Sequence, residues 1–318
     1  MTQQFHWGNT RRYHAYSDHY IKMFGERLQK LSIDAGFTCP NRDGTVGING
    51  CIFCDNNAFN PSYCTPEKSI TTQIEEGIEF HAKRYRHAGK FLAYFQAFSN
   101  TYLPLKKLKS KYEEALQYPG VVGLVIGTRP DCVDEKKLDY LATLAKDFHI
   151  VIEFGVESCY NKTLKKINRG HTFEQSIEAI EMTAVRGIQT GIHLVFGLPG
   201  ESREEQLNEA EIISQLPIQS VKFHQLQIIK DTEIANQYEK HPEKFSLFTL
   251  PDYIEFIIDF AERLNPEIII ERFTGEVPPR FLAVQNWELL RNDQIIHRIE
   301  KRMEERNTWQ GRLFIKKK

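Results

Sequence analysis

The sequence predicts an α/β fold built on a parallel sheet, and three observations carry that expectation. Short apolar, β-rich runs recur along the chain. They are nearly continuous in hydrophobicity rather than alternating, as strands buried on both faces are. Segments with helical spacing separate them. Strand alternating with helix implies right-handed crossovers within one parallel sheet. Six such units fall short of the eight that close a full barrel, so the expected architecture is a partial (β/α)6 TIM-like barrel. An open side would admit a large substrate, and a C-terminal α/β extension completes the chain.

The elements follow in order. Residues 1–26 form a polar, aromatic and basic N-terminal extension. The strand runs are Leu28 to Asp34, Phe91 to Gln96, Val121 to Thr128, Ile150 to Glu157, Gln189 to Gly197 and Ser220 to Ile229. Between them, Ile70, Ile74, Gly77, Ile78 and Ala82 share a helical face, as do Leu138, Leu141, Ala142 and Ala145, and then Ile177, Ile180 and Ala184. No repeat, low-complexity tract or long linker interrupts residues 27–240, which are read as one barrel domain. The pattern changes in residues 241–318. Thr249-Leu250-Pro251-Asp252 reads as a helix start, with Tyr253, Phe256, Ile257, Phe260 and Leu264 along one face. Glu267 to Phe273 reads as a further strand, and Asn292 to Arg306 as a charged helix with Ile295, Ile299 and Met303 on one side.

A chain of 318 residues can bury a large core without disulfide staples. Its 41% hydrophobic and 26% charged residues exclude a disordered, collagenous or fibrous protein. With no run of about 18 apolar residues and no apolar signal-peptide core near the start, the expected location is the cytoplasm, away from any membrane. The net charge of -1 is uneven: residues 1–30 carry +3 and residues 291–318 carry +5, on a middle of -9. Two basic ends on an acidic body suit a polyanion partner, or are solvated tails.

Four of the six cysteines fall within 26 residues: Cys39, Cys51, Cys54 and Cys64; Cys132 and Cys159 lie further on. In a reducing compartment such grouping points to metal or redox chemistry. The pattern Cys39-x(11)-Cys51-x(2)-Cys54 follows the first strand in a loop with Pro40, Gly44, Gly47 and Gly50, at the barrel end where such folds place their chemistry. Three thiolates leave one iron of a 4Fe-4S cluster open, because complete ligation takes four cysteines. A closed zinc site, with Cys64 or a histidine as fourth ligand, is the alternative, and the spacing alone leaves both open.

The surrounding residues carry a resemblance. Gly36-Phe37-Thr38-Cys39-Pro40-Asn41-Arg42-Asp43-Gly44-Thr45, with Gly50-Cys51-Ile52-Phe53-Cys54, resembles the cluster loop of radical S-adenosylmethionine (SAM) enzymes of the YhcC/YtqA subgroup. The x(11) spacing is like that of this subgroup and close to that of the elongator catalytic subunit, and Phe53 matches the aromatic before the third cysteine. Further matches are Tyr94-Phe95-Gln96-Ala97-Phe98, Gly127-Thr128-Arg129-Pro130-Asp131-Cys132, Asn168-Arg169-Gly170-His171 and Gly197-Leu198-Pro199-Gly200-Glu201. The resemblance implies a 4Fe-4S cluster on Cys39, Cys51 and Cys54, with SAM chelating the open iron. It also implies reductive cleavage of SAM to a 5'-deoxyadenosyl radical, with an electron donor such as flavodoxin or ferredoxin. The cofactors carry the hard chemistry and the protein orients them.

The same resemblance assigns SAM contacts. Gln96, Ala97 and Phe98 stand at the family's Gly-Gly-Glu turn, whose carbonyls bind the SAM amino group, although the glycines are absent here. Glu157 stands where relatives place a ribose-binding Gln, and a carboxylate accepts from two hydroxyls equally well. Arg169 matches an arginine that pairs with the SAM carboxylate, a geometry that suits guanidinium. His193 is a candidate ribose ligand or a satisfied core histidine, and Lys222 and His224 resemble the adenine-side strand. Arg129 and Asp131 are candidates to face the substrate; Asp131 equally suits a turn. Cys64, Cys132 and Cys159 read as small buried hydrophobes.

For the substrate, Arg129-Pro130-Asp131 and Glu271-Arg272-Phe273-Thr274-Gly275-Glu276-Val277-Pro278 resemble parts of the elongator catalytic subunit, which modifies the wobble uridine of tRNA at C5. The implied substrate is tRNA, at the wobble uridine or its C5 side chain. The basic ends and Trp7, Tyr13, Tyr16 and Tyr20 would serve phosphate contact and base stacking. The alternatives are a radical SAM enzyme for a small-molecule or protein substrate, and a zinc-stabilised interaction module without catalysis.

Overall fold

The computed structural model describes residues 4–83, 88–285, 287 and 290–316. Its centre is one sheet of seven parallel strands in sequential order: β1 (Leu28–Ile33), β2 (Lys90–Phe95), β3 (Val121–Thr128), β4 (His149–Glu157), β5 (Gln189–Phe196), β6 (Ser220–Gln225) and β7 (Ile269–Arg272). The first six occupy the apolar runs of the sequence, and β6 ends at Gln225, four residues earlier than expected. There the chain turns, with Leu226 N–H donating to the Phe196 carbonyl.

The crossovers carry α2 (Ile70–Ala82), α3 (Leu105–Leu116), α4 (Glu135–Leu144), α5 (Asn161–Lys166), α6 (Phe173–Ala184), α7 (Arg203–Ile213), α8 (Glu233–Lys240) and α9 (Leu250–Arg263); α1 (Tyr16–Phe24) precedes the sheet and α10 (Asn292–Glu305) follows it. Side-chain caps set several starts. Thr172 with Gln175 and Ser202 with Glu205 form reciprocal capping boxes, satisfying N–H groups that a helix start leaves bare. In α9, Tyr253, Phe256, Ile257 and Phe260 are fully buried, and Phe256 and Phe260 meet Phe196 and Phe223 of the sheet. Each such side chain contributes roughly 1.5–3 kcal/mol of apolar burial.

Two expectations need correction. The strand in Glu267 to Phe273 is not part of a separate extension, because β7 pairs in parallel with β6 as the seventh strand of the barrel sheet. Its core is shared too: Tyr13, Ile270, Phe273, Ile295, Ile299 and Met303 belong to one hydrophobic cluster with the other strands. The sheet curls so far that Lys30 of β1 reaches Glu271 of β7 at 2.7 Å, an ion pair between the two edge strands. The result is a half-barrel with an electrostatic bridge across its gap.

The N-terminal aromatics are also not displayed for stacking. Trp7, Tyr13 and Tyr20 are buried, and Tyr13 packs edge-on against Phe273 with ring centroids 4.8 Å apart. The Lys30 ammonium lies 4.7 Å from the Tyr16 ring centroid. The segment before α1 covers the edge of β7: the His14 carbonyl accepts from Ile270 N–H, and Ala15 bridges Ile270. These rings close the floor of the barrel because apolar surface at an open sheet edge has to be covered.

Part of the basic charge at the two ends is paired in place. Arg11 pairs with Asp18 and Glu300, Arg302 with Glu255, Arg306 with Glu255, Asp259 and Glu262, and Arg312 with Glu262. Among the described residues, no helix is long and apolar enough to cross a membrane.

Candidate functional site

At the C-terminal ends of the strands the half-barrel opens into a cavity of about 200 Å3, lined by Cys39, Cys51 and Cys54 together with Phe53, Gln96, Phe98, Arg129, Glu157, Arg169, His193 and His224. The cysteine loop that follows β1 is built by its own backbone. Arg42 N–H donates to the Cys39 carbonyl, Val46 N–H to Pro40, and Gly50 N–H to Asn41. Fully buried Asn41 then ties it to the turn that carries Arg169, its Nδ2 donating to the Asn168 carbonyl at 2.5 Å. Gly170, at φ 79°, permits that seating: a Cβ there would lie 2.9 Å from Asn41 Oδ1. Burial and the neighbouring Cys51 push the Cys54 thiol up to about 11.

Two residues around the cavity hold left-handed backbone that non-glycine residues rarely adopt. Phe98 has φ 62°, and Glu157 has φ 70°. At Phe98 the turn keeps a glycine-like conformation although the glycines are missing. At Glu157 the register of β4 against β5 shifts between Gly155 and Glu157, a bulge that re-aims the carboxylate into the cavity. Gly155 leaves room for the result, since a Cβ there would lie 2.5 Å from both Glu157 Oε1 and Arg169 Nη2. Strain of this kind collects at functional sites.

Arg169 is buried beside the cysteines. Its Nη1 lies 3.4 Å from Cys51 Sγ, its Nη2 donates to the Gly155 carbonyl and faces Glu157 Oε1 at 3.3 Å, and its Nε is buried without a partner. Arg129 is spent on its surroundings: it holds Asp131 through two 2.8 Å bonds and donates Nη1 to the Arg169 carbonyl. Asp131 anchors Arg129 and does not itself line the cavity. Lys222 does not line the cavity either. Its ammonium is 2.5 Å from Glu153, 3.0 Å from Glu271 and 3.2 Å from Tyr94 Oη. Ala97 is buried, beneath its neighbours Gln96 and Phe98.

The floor of the cavity is a layer of charge centred on Glu153, a residue that the sequence analysis did not single out. Glu153 is 2% exposed and accepts from Lys30 at 2.7 Å, Lys222 at 2.5 Å and His193 Nε2 at 3.0 Å. Burial opposes its ionisation, yet Lys222 and Lys30 hold its carboxyl well below the usual range. Burial also lowers His193, which is therefore neutral near pH 7 and donates Nε2–H to Glu153, leaving Nδ1 as the acceptor. Sequence carried a signal for this layer: Glu153 interrupts the apolar run Ile150 to Val156 of β4.

The residues present fit the iron-sulfur cluster and SAM. Three free thiols converge on one cavity, while Cys64 lies outside it with its thiol near Asp34. Among the described residues, no three His, Cys, Asp or Glu side chains are disposed to hold a single metal ion, whereas a multi-iron cluster spans more widely spaced thiolates. Arg169 Nε, buried at this cavity without a partner among the described residues, is unmet hydrogen-bonding capacity that a polar ligand satisfies.

A half-barrel of parallel strands with this three-cysteine loop at its mouth defines a class, and comparison with known proteins agrees. The chain matches the Radical SAM superfamily over residues 39–211 and the Radical_SAM C-terminal domain over residues 218–305, and it belongs to that superfamily. Within it, the chain falls in the YhcC/YtqA subgroup. It is 34% identical over 311 residues to the uncharacterized protein YtqA of Bacillus subtilis, covering 98% of this chain and 95% of that one. It is 29% identical over 161 residues to the tRNA uridine(34) acetyltransferase of Methanocaldococcus infernus, 49% of this chain and 29% of that protein. Among solved structures, the archaeal Methanocaldococcus infernus Elp3 superposes with a TM-score of 0.68 at 18% identity, over 89% of this chain and 64% of that one, a likeness of fold.

Proposed function

We propose that this protein is a 4Fe-4S, SAM-dependent enzyme that modifies the wobble uridine of tRNA at its C5 side chain. Cys39, Cys51 and Cys54 would hold the cluster, Arg169 the SAM carboxylate, Glu157 and His193 the ribose, and the backbone of Gln96 to Phe98 the amino group. When bound, the reduced cluster and SAM supply reductive cleavage of SAM and hydrogen-atom abstraction from the substrate. The chain's own work is positional. Glu153 fixes His193 so that Nδ1 is left to accept, Arg129 braces the Arg169 turn, and the bulge in β4 aims Glu157. An external one-electron donor such as flavodoxin or ferredoxin would feed the cluster.

The observation that carries the tRNA reading is the similarity to the tRNA uridine(34) acetyltransferase, joined to a shared half-barrel fold. The test is nucleoside mass spectrometry of bulk tRNA from cells lacking the gene. One C5-substituted wobble uridine should disappear and return with the wild-type gene but not with Cys51→Ala. An unchanged nucleoside profile would overturn the tRNA assignment. A small-molecule or protein substrate is the second reading, and the internal pairing of Arg11, Arg306 and Arg312 favours it, since charges already neutralised add little attraction to a polyanion.

A further inference from the structure

Beside the cluster cavity lies a larger one of about 780 Å3, between the end of β6 and the segment leading to α10. The two share a wall made by Phe59, Gln225, Leu226, Gln227 and Arg272. Arg272 is the cation of that wall. Register shifts in the β6–β7 pairing between Val221 and Lys222, so Glu271 and Arg272 both reach the barrel interior although they are consecutive. Glu271 goes to Lys30 and Lys222. Arg272 has no carboxylate within 4 Å among the described residues; its Nη2 lies 2.8 Å from His224 Nε2, and its Nε is buried without a partner.

Its surroundings are firm. The Gln225 amide makes two 3.0 Å bonds to the backbone of Gly275, and a Cβ on Gly275 would lie 2.9 Å from His224 Nδ1. Burial, with Arg272 beside it, holds His224 well below its ordinary value, so the imidazole accepts from the guanidinium and carries no charge of its own. Around the barrel axis, among the described residues, Lys30 and Lys222 pair with Glu153 and Glu271, and Arg272 pairs with neither. Arg272 is half-buried at the passage between the two cavities, a cation there without a carboxylate contact among the described residues.

We propose, resting on the reading of the cluster cavity as the reaction site, that Arg272 with His224 is the receptor for an oxyanion group of the substrate, a carboxylate or a phosphate, entering from the larger cavity. A guanidinium with a bare Nε–H and a second N–H in the same plane suits such a group. The site also selects: a substrate without the anion would leave the buried Nε–H unpaired.

The test uses the reconstituted full-length protein and two probes, 13C-acetate and inorganic phosphate, followed by NMR line broadening with the wild type, Arg272→Gln and Arg272→Lys. Saturable broadening of at least one probe is expected, weakened about tenfold or more in Arg272→Gln and by an intermediate amount in Arg272→Lys. Acetate alone assigns a carboxylate, and phosphate alone a phosphate. Broadening that is absent, or indifferent to both substitutions, overturns the proposal. Circular dichroism checks folding, and Arg272→Lys keeps the comparison if Arg272→Gln unfolds. A parallel loss of SAM affinity in Arg272→Gln also overturns it, because Arg272 would then hold the carboxylate of SAM. Dithionite-driven release of 5'-deoxyadenosine by the wild type reports separately on the reaction-site reading. If none is released while a probe still binds through Arg272, that reading fails and the oxyanion site stands.

Discussion

The floor and the mouth of the half-barrel treat polar groups in opposite ways. On the floor, Lys30, Glu153, Lys222 and Glu271 neutralise one another across β1, β4, β6 and β7. At the mouth, Arg169 and Arg272 each keep a buried Nε without a partner, and Phe98 and Glu157 hold left-handed backbone. Tyr16 Oη and His14 Nδ1 on the floor are also buried without partners among the described residues, so what marks the mouth is the coincidence of unmet hydrogen bonds, left-handed backbone and three converging thiols, the kind of layer a ligand completes. The floor is scaffold and the mouth is receptor.

That contrast can be broken or sharpened by substitution. The largest effect belongs to the mouth: Cys51→Ala should abolish 5'-deoxyadenosine formation while leaving the thermal melting temperature within a few degrees of wild type. A floor substitution should show itself first in stability. Glu153→Gln strands two buried ammonium groups with one carboxylate, and a loss of about 3–5 kcal/mol is expected in urea titrations. If Glu153→Gln melts like the wild type, the floor is not the scaffold described.

A smaller effect concerns pH. His149, buried against Tyr20 with a 2.9 Å bond to its hydroxyl, is lowered to about 4 by burial and then by Lys30. Its folded value lies below its unfolded one near 6.5, so the stability it confers is present above pH 6.5 and is lost as pH falls toward 4. Between pH 7 and 5 the loss should be roughly 1–2 kcal/mol, and His149→Gln should flatten that part of the stability profile. A profile unchanged by the substitution would show that His149 ionises freely in the fold. The smallest effect isolates backbone strain: Phe98→Gly should exceed Phe98→Ala in stability by about 1 kcal/mol, because only glycine adopts φ 62° without cost. Equal stability would mean that the turn relaxes.

How much of this was legible follows the same division. The first six strands and the helical faces were readable because burial on both sides imposes nearly continuous apolar runs. The cluster cysteines were readable because their spacing is local. The membership of β7 was not, since a strand's partner depends on contacts some fifty residues away. Lys30 was counted with the basic N-terminus because a charge tally ignores the direction in which a strand side chain points. Trp7, Tyr13 and Tyr20 misled for a related reason: aromatic residues near a chain end look the same whether they cover a sheet edge or wait for a base. The β4 bulge and the left-handed Phe98 leave no compositional trace, as both are imposed by neighbouring turns.

One measurement tests the receptor at the mouth most directly. The protein is purified and reconstituted anaerobically, reduced with dithionite and given SAM with and without bulk tRNA, and 5'-deoxyadenosine is quantified by mass spectrometry against Cys51→Ala. The account predicts formation that requires Cys51 and rises with tRNA. No 5'-deoxyadenosine from protein carrying an intact iron-sulfur cluster would contradict it.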